Sequence, residues 1–529
     1  MGAELVGSGS MTGCLAGEPE RRNNDPRGTA GHESHFSTAH LMTNLRRRTV
    51  SSGFVTAASQ CIQFVLTLGS TMILARLLEP QDFGLVAMVT TIVAFLRVFR
   101  EAGLSTATVQ REGITHAQVS NLFWINFGLS SVVSLVLIML APVVAWFYRE
   151  PRLVSITFAL GGTFLLTGST VQHMALLNRQ MRFKVIALIQ VGSLMAGVVV
   201  GIGMAMLKFG YWSLVGFQLA IPFTTLVLAW SASRWRPQLP APGSGTRPLI
   251  SFGVNLAAGG FLWSLARGAD CLLIGRYYGA DPVGLYSRAG ALLMRPLEQS
   301  MSPIEAVFVP TLSRLQEQPD RYRRAFLIIH EGIAMAGFLF GGILLALAHP
   351  LTLIVLGAKW EKVAVIFAAF TVSALFYPLT TATSWLFSSQ GRGKDWLSAS
   401  SILSVLTLCT FLAGMPFGPA GVAIAFSVSG VFILLPIMYY IAGRTGPVTT
   451  RNLWAGFLRQ LPVWGIACGS TVAIKNFIAG LSPLAECLIF GPMGLVVGIV
   501  FIGAYTPSRT VAINVLSTIR EARRNRRTY

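Results

Sequence analysis

The chain has 529 residues, of which 53% are hydrophobic and 12% are charged, and its formal net charge is +20. A mean hydropathy of +0.62 excludes a soluble globular domain and predicts an all-α, polytopic membrane protein. A basic excess also suits nucleic-acid binding, but here the Lys and Arg residues flank apolar stretches, where anionic lipid headgroups attract them. We therefore expect membrane lipids, and no nucleic acid, as partners.

The first 50 residues are a different kind of sequence. They are rich in Gly, Ser, Asn and charge and show no apolar periodicity, which predicts a disordered, basic tail over 1–50. They contain no apolar core of a signal peptide. Met42, followed shortly by three arginines and the first apolar stretch, is an alternative start.

Apolar stretches long enough to cross a membrane follow the tail, since a spanning helix needs roughly 20 such residues. The sequence predicts about 14 transmembrane helices, at 54–75, 84–105, 121–147, 153–174, 186–207, 211–233, 252–275, 285–309, 326–348, 363–387, 397–416, 419–441, 456–475 and 484–505.

Basic residues are distributed unevenly between the two sides of these spans. Of the 41 Lys and Arg residues, 30 lie on the side of the two termini, 8 on the opposite side and 3 within spans. By the positive-inside rule both termini are cytoplasmic, as an even number of spans also requires.

Short similarities indicate an internal repeat. Residues 73–86 align with 273–286, pairing Gly84 with Gly284, and residues 176–184 align with 386–394. A third pair, 210–218 and 418–426, opens the sixth span of each unit. We predict two six-helix lobes related by a pseudo-twofold axis along the membrane normal, an arrangement in which two lobes enclose a central cavity. The alternative is a generic helical bundle with chance similarity.

The predicted organisation has six parts. They are the tail 1–50, an N-lobe 51–233, a basic linker rich in Pro and Gly at 234–251, a C-lobe 252–441, two extra spans within 442–505 and a basic cytoplasmic tail 506–529.

Ionisable side chains within spans cost about 2.5–3.5 kcal/mol each on the insertion scale, so they indicate a polar cavity or an ion pair. Span 7 carries Arg267 and Asp270, which are three residues apart and can pair on one helix face. Span 8 carries a polar stripe within a sector of about 120°. Its members are Arg288, Arg295, Glu298 or Gln299, Ser302 and Glu305.

These charges predict a positively charged cavity that suits an anionic group such as a pyrophosphate. The candidate substrate-binding residues are Arg267, Arg288, Arg295, Gln60 and Gln63, the last two from a polar stripe on span 1. The candidate ion-coupling residues are Asp270, Glu298 and Glu305. In the alternative interpretation the charges form static pairs, Arg267 with Asp270 and Arg288 with Glu298 or Glu305, and the span 1 stripe forms helix–helix hydrogen bonds.

No catalytic machinery is recognisable. The sequence has no Gly-rich phosphate loop ending in Lys-Ser/Thr, and the loops opposite the termini are short, so an acid/base domain has no place. The six Cys residues form no close pair, which argues against a disulfide framework or a metal site. We expect a transporter without a bound cofactor, and not an enzyme.

The run MILARLLEPQDFGLVAMVTTIVAFLRVFREAGLSTATVQREGITHAQVSNLFWIN (72–126) resembles the Wzx-type polysaccharide and oligosaccharide-lipid flippases of the multidrug/oligosaccharidyl-lipid/polysaccharide exporter superfamily. The likeness continues through 211–218 and 252–324. It implies a V-shaped chamber between two lobes and the movement of a polyprenyl-pyrophosphate-linked oligosaccharide across the bacterial inner membrane, for exopolysaccharide or lipopolysaccharide biosynthesis. It also implies coupling to an ion gradient, of protons or sodium, and other polysaccharide-assembly membrane proteins are further candidate partners.

Two other functions stay open. A cation-coupled multidrug exporter of the same superfamily would favour an acidic chamber, whereas the candidate chamber here is basic. A polysaccharide polymerase or ligase would need a longer loop opposite the termini.

Overall fold

The computed structural model describes residues 45–100, 108, 114–240, 268–478 and 480–524. Every regular element within these ranges is a helix, so the prediction of an all-α membrane protein is confirmed. Nine helical stretches in the described ranges are long and apolar enough to cross a membrane. The predicted count of about 14 stays a prediction.

The first half of the chain forms seven described helices. Helix α1 begins at Leu45, inside the tail predicted to be disordered over 1–50, because its basic first turn is continuous with the apolar span. The helices are α1 (Leu45–Leu77), α2 (Pro80–Arg100), α3 (His116–Tyr148), α4 (Arg152–Gly168), α5 (Val171–Arg179), α6 (Phe183–Met206) and α7 (Trp212–Ser233).

The second half repeats this order with more interruptions. Short 3₁₀ or π segments interrupt two of its spans, at Val372–Leu375 and Gly430–Leu434. The helices are α8 (268–278), α9 (Ala280–Arg314), α10 (Pro319–Ala346), α11 (Ala348–Leu356), α12 (Val363–Thr371), α13 (Tyr377–Ser389), α14 (Gly393–Gly414), α15 (Gly418–Ser429) and α16 (Leu435–Gly443).

Two appended helices and a terminal one complete the chain, namely α17 (Thr450–Phe477), α18 (Pro483–Ala504) and α19 (Thr506–Arg524). Helix α19 lies where only a basic tail was predicted. Helix α11 and the 3₁₀ turn Ala358–Trp360 occupy a connection predicted to be a short loop. The sequence of α11 is as apolar as the span that precedes it, so the boundary between span and loop helix was not visible.

The repeated segments share local geometry. Met181 and Gly391, which are equivalent in the alignment, both have left-handed backbones, with φ of 53° and 67°. The arginine that follows each one donates a hydrogen bond to the carbonyl oxygen of an equivalent alanine, Arg182 to Ala232 and Arg392 to Ala442, both at 3.0 Å. Equal offsets of 210 residues in both partners are expected of two related units and argue against chance similarity. The predicted domain boundaries stay a prediction.

The hydrophobic core shows where the two lobes meet. We call the membrane face with the α1–α2 turn and the segment 347–362 the far face, and the opposite one, where α18 ends, the terminal face. Toward the far face, one continuous cluster joins both lobes, for example Leu74 and Phe83 with Leu285 and Trp360. Toward the terminal face the buried clusters are separate, one around Phe123 and Trp235 and another around Tyr322, Trp385 and Tyr439. Among the described residues, the lobes therefore share one buried cluster at the far face and have separate clusters toward the terminal face.

Candidate substrate site between the lobes

The two lobes approach each other closely where α2 crosses α9 at two equivalent glycines. A Cβ atom built on Gly84 would lie 1.7 Å from the carbonyl oxygen of Ala280, and one on Gly284 would lie 1.9 Å from that of Pro80. The two contacts exchange under the repeat offset of 200 residues, so the crossing has local twofold symmetry. Small residues allow this approach, which side chains would prevent.

The segment 347–362 closes the far face from the C-lobe side. The Trp360 indole Nε1 donates to the carbonyl oxygen of Ala75 at 2.8 Å, and its ring meets the edge of Phe83 at 5.2 Å. Arg76 donates to the carbonyl oxygen of Ile354 at 3.0 Å, and the Lys359 ammonium pairs with Glu79 at 2.6 Å. The 3₁₀ turn thus holds the α1–α2 turn against the C-lobe.

Arg288 lies one turn beyond this crossing. Its guanidinium carbon is 5.0 Å from the centre of the Phe83 ring, across the lobe boundary, and its buried Nε atom has no hydrogen-bond partner among the described residues. An arginine stacked on an aromatic ring keeps its fork of donors available. Residues 288 and 298 are about 15 Å apart along the axis of one helix, which disfavours a direct Arg288–Glu298 pair. The static-pair alternative itself stays a prediction.

Arg295 extends the same helix face toward the terminal face. It follows Arg288 by seven residues, about 10 Å along the axis, and at 100° per residue it faces within about 20° of the same direction. Its side chain is exposed, as are those of Gln299 and Ser302 farther along the stripe. Because Gly284 and Arg288 on this face contact the N-lobe, Arg295 lies on the lobe-facing side of α9 with an exposed side chain.

Asp270 joins α8 to α9. Its carboxylate accepts a hydrogen bond from the Tyr286 hydroxyl at 2.9 Å and another from the Cys271 backbone N–H at 2.6 Å. The neighbouring Gly268 lies against Phe95 and Thr91 of the N-lobe helix α2. Asp270 therefore sits at the depth where the two lobes still touch. Arg267, its predicted partner, lies outside the described residues.

The two candidate glutamates differ in environment. Glu298 is half-buried and accepts a hydrogen bond from the Tyr377 hydroxyl at 3.1 Å, which ties α9 to α13 within the C-lobe. Glu305 is exposed, nearer the terminal face. Of the two, only Glu305 extends the exposed part of the stripe.

The two candidate glutamines of span 1, Gln60 and Gln63, also have different surroundings. Gln63 donates to Ser59 at 2.9 Å and to Gln190 of α6 at 3.3 Å, which is the helix–helix hydrogen bonding of the alternative interpretation. Gln60 is exposed. Gln60 as a substrate-binding residue stays a prediction, whereas Gln63 contributes to N-lobe packing.

Sequence reasoning missed the aromatic partners of these charges. Phe83, Tyr286 and Tyr377 contact Arg288, Asp270 and Glu298 respectively. Phe83 belongs to the alignable stretch 73–86, but nothing in its spacing indicates a contact 205 residues away.

The profile of the family described as "Polysaccharide biosynthesis protein" matches residues 73–365. The chain belongs to this family. The resemblance predicted from residues 72–126 is thereby confirmed.

Curated relatives carry similar descriptions. The lipopolysaccharide biosynthesis protein WzxC of Escherichia coli (strain K12) is 22% identical over 451 residues, covering 82% of this chain and 90% of that protein. The succinoglycan biosynthesis transport protein ExoT of Rhizobium meliloti (strain 1021) is 27% identical over 305 residues, covering 56% of this chain and 60% of its own.

Two solved structures share the fold. The lipid II flippase MurJ in an inward closed conformation superposes with a TM-score of 0.69 at 14% identity, covering 86% of this chain and 98% of that one. A multidrug resistance MATE family transporter in an inward-facing conformation gives a TM-score of 0.56 at 13% identity, covering 79% and 96%. The polytopic two-lobe architecture is thus that of known membrane transporters.

Proposed function

We propose that this protein is a flippase that moves a polyprenyl-pyrophosphate-linked oligosaccharide across the bacterial inner membrane, for exopolysaccharide or lipopolysaccharide biosynthesis. The observation that carries the proposal is the arginine face of α9. Arg288 and Arg295 lie on one face of a helix that joins the lobes at the far face, and Arg295 is exposed farther toward the terminal face. The family membership supports the same conclusion.

The substrate defines what the chamber has to do. A pyrophosphate with several sugars cannot cross about 30 Å of hydrocarbon unaided. A chamber open at one face offers a polar route, while the polyprenyl tail stays in lipid between the lobes. Arg295, exposed and close to the midplane, binds the pyrophosphate through its fork of donors. Arg288, held on Phe83 at the end of the chamber, forms the second positive charge.

Transport then requires the far-face contacts to open and the terminal face to close. Both termini lie in the cytoplasm under this proposal, so the described state opens to the cytoplasm and is ready to receive substrate made there. The basic loops on the terminal face support this orientation.

An ion gradient, of protons or sodium, drives the cycle, and no bound cofactor takes part. Asp270 is the best-placed coupling residue, because it contacts α9 through Tyr286 and lies at the depth where the lobes still touch. Transport by protein reconstituted in vesicles should depend on an imposed proton or sodium gradient, and Asp270→Asn should remove that dependence. Equal rates without any gradient would contradict the coupling.

Two alternatives have less support. The multidrug exporter shares the fold, but a chamber with exposed Arg295 at its middle repels cationic drugs. For an enzyme, the described segment at 347–362 is less suitable, because its residues make the contacts that hold the lobes together.

The experiment that tests the function is a chromosomal deletion with analysis of the lipid-linked saccharide pool. We expect undecaprenyl-pyrophosphate-linked repeat units to accumulate on the cytoplasmic leaflet and surface polysaccharide to disappear, both restored by the wild-type gene. If the pool stays unchanged while drug susceptibility rises, the multidrug function replaces our proposal. Loss of the linked units themselves would indicate an enzyme acting earlier.

A further inference from the structure

The C-terminal helix α19 has three distinct faces. Ser508 and Val511 are buried against the rest of the protein, and Val515 lies against Gly332 of α10. With 100° per residue, these positions fall within one sector of about 60°. This docking face fixes the helix to the protein and leaves the other two faces outward.

The second face combines apolar and basic residues. Ile513 and Leu516 are each 54% exposed, and Arg509 is exposed beside them. The helix continues to Arg524, so positions 520, 523 and 524 fall in the same sector, which is about 100° wide. By helical phase, the positions of all four arginines of α19 therefore lie on the side of the exposed apolar residues Ile513 and Leu516.

The third face is polar without basic residues. It holds Thr510, Asn514, Ser517 and the only acidic residue of the helix, Glu521. A helix with separate apolar-basic and polar faces is typical of segments that lie in the plane of a membrane interface.

The contacts of the docking face give the depth of the helix. Ser508 donates to the Gln460 side chain at 2.8 Å, and Gln460 lies 17 residues from the far end of α17, about 25 Å along it. Gly332 lies 14 residues from the far end of α10, about 21 Å. The two contact points are therefore at nearly the same depth although they are seven residues apart on α19, so the helix runs almost parallel to the membrane.

That depth agrees with an interfacial position. With the far ends of α10 and α17 taken as the far-face boundary of a hydrocarbon core of about 30 Å, the contact points lie roughly 5–9 Å below the terminal-face boundary. Interfacial amphipathic helices bury their apolar face by about 5–10 Å at the headgroup boundary. Arginine side chains at such a depth reach outward to lipid phosphates.

We propose that α19 is a membrane-surface helix whose arginine face binds anionic phospholipid headgroups and fastens the C-lobe side of the protein to the terminal-face leaflet. The occupant is lipid, because the exposed apolar residues and the positive charges share one face at headgroup depth. A water-exposed helix awaiting a protein partner is the competing outcome.

The first test measures depth by spin labelling of the full-length protein in nanodiscs. On a cysteine-free background, nitroxides are placed at Leu516 on the apolar-basic face and at Thr510 on the polar face. We expect the label at 516 to be relaxed more by oxygen than by Ni(II)-EDDA and the label at 510 to show the reverse. Strong relaxation by Ni(II)-EDDA at both positions would overturn the proposal and favour a protein partner.

The second test measures headgroup preference. In nanodiscs of phosphatidylcholine, replacing a quarter of the lipid by phosphatidylglycerol should raise the melting temperature of the wild type. The variant with Arg509, Arg520, Arg523 and Arg524 all changed to Gln should lose most of that rise. A matched control changes four exposed basic residues elsewhere on the terminal face, Arg314, Arg324, Lys394 and Arg451, to Gln and should keep it. Equal loss in both variants, or no rise in the wild type, would show that α19 has no special role in lipid binding.

Discussion

Gly84 and Gly284 lie back to back where α2 crosses α9, and each would place a Cβ atom within 2 Å of a backbone carbonyl of the other helix, at 1.7 and 1.9 Å. No side chain rotation relieves a clash with backbone. The closed far face therefore depends on glycine at two positions that the repeat makes equivalent. In a transporter of this architecture, the same two positions decide how easily the closed state forms.

We predict that Gly84→Ala shifts the protein toward a state with the far face open. The added methyl forces the helices apart, and overpacking of this kind costs about 1–3 kcal/mol, which acts only on the closed state. The measurement is the distance between spin labels at Phe209 and Phe417, two exposed residues near the far face on different lobes. The distance distribution should move to longer values.

Gly203→Ala is the matched control, because a Cβ at this helical glycine meets nothing within 4 Å. It should leave the distances unchanged and stabilise its helix slightly, by about 0.5–1 kcal/mol. Identical distributions for Gly84→Ala and wild type would refute the role of the glycine crossing.

The segment 347–362 supplies a second prediction. Trp360→Phe keeps a ring against Phe83 but removes the hydrogen bond to the Ala75 carbonyl, which should weaken the closed state by about 0.5–1.5 kcal/mol. Lys359→Gln removes only the exposed pair with Glu79 and should change it by less than about 1 kcal/mol. The distance between spin labels at Phe209 and Phe417 measures the shift of the closed state in both variants. A larger effect of Lys359→Gln would contradict the account.

Arg182 and Arg392, the equivalent arginines of the two repeats, should contribute differently to thermal stability. Described contacts of Arg182 comprise one hydrogen bond to the Ala232 carbonyl, whereas Arg392 donates to three backbone carbonyls and pairs with Asp395. Because hydrogen bonds to charged groups contribute about 1.5–3 kcal/mol each when buried, Arg392→Lys should lower the melting temperature more than Arg182→Lys. Thermal unfolding in detergent measures both, and equal effects would contradict the prediction.

A small pH dependence is expected at the α3–α4 turn. Glu150 accepts hydrogen bonds from the Arg152 side chain at 2.8 and 2.9 Å, and this lowers the pKa of the Glu150 carboxyl. A lowered pKa means that the contribution is complete above the ordinary carboxyl pKa and is lost as the pH falls through the folded-state value. Glu150→Gln should therefore be slightly less stable than wild type at pH 7, by less than about 1 kcal/mol, and the difference should vanish in acid. A constant difference across pH would contradict this origin.

The sequence predicted more of the fold than of the site. Apolar run length and the distribution of Lys and Arg indicate a polytopic helical protein, and the alignment of Gly84 with Gly284 singled out the two residues that meet at the lobe crossing. Helical phase placed Arg288 and Arg295 on one face, because a single continuous helix contains both.

Contacts between distant segments could not be predicted in the same way. Phe83 under Arg288 and Tyr377 at Glu298 depend on how helices cross, which periodicity does not encode. Gln63 gives an example on the polar side. Its place in a polar stripe did not reveal that its side-chain amide would donate a hydrogen bond to Gln190 of α6. Helix α11 was missed because its apolar residues continue a span.

The central claim is that Arg295 in the chamber binds the pyrophosphate of a lipid-linked oligosaccharide. The most direct measurement compares Arg295→Ala with Arg314→Ala, an exposed arginine at the end of the same helix, in cells whose lipid-linked saccharide pool is quantified at matched protein levels. Losing a charged hydrogen-bonding partner of about 1.5–3 kcal/mol reduces substrate affinity roughly 10- to 150-fold. We predict that undecaprenyl-pyrophosphate-linked units accumulate with Arg295→Ala, less so with Arg295→Lys, and not with Arg314→Ala. An unchanged pool in Arg295→Ala, in cells where the gene deletion does cause accumulation, would contradict the account of the site.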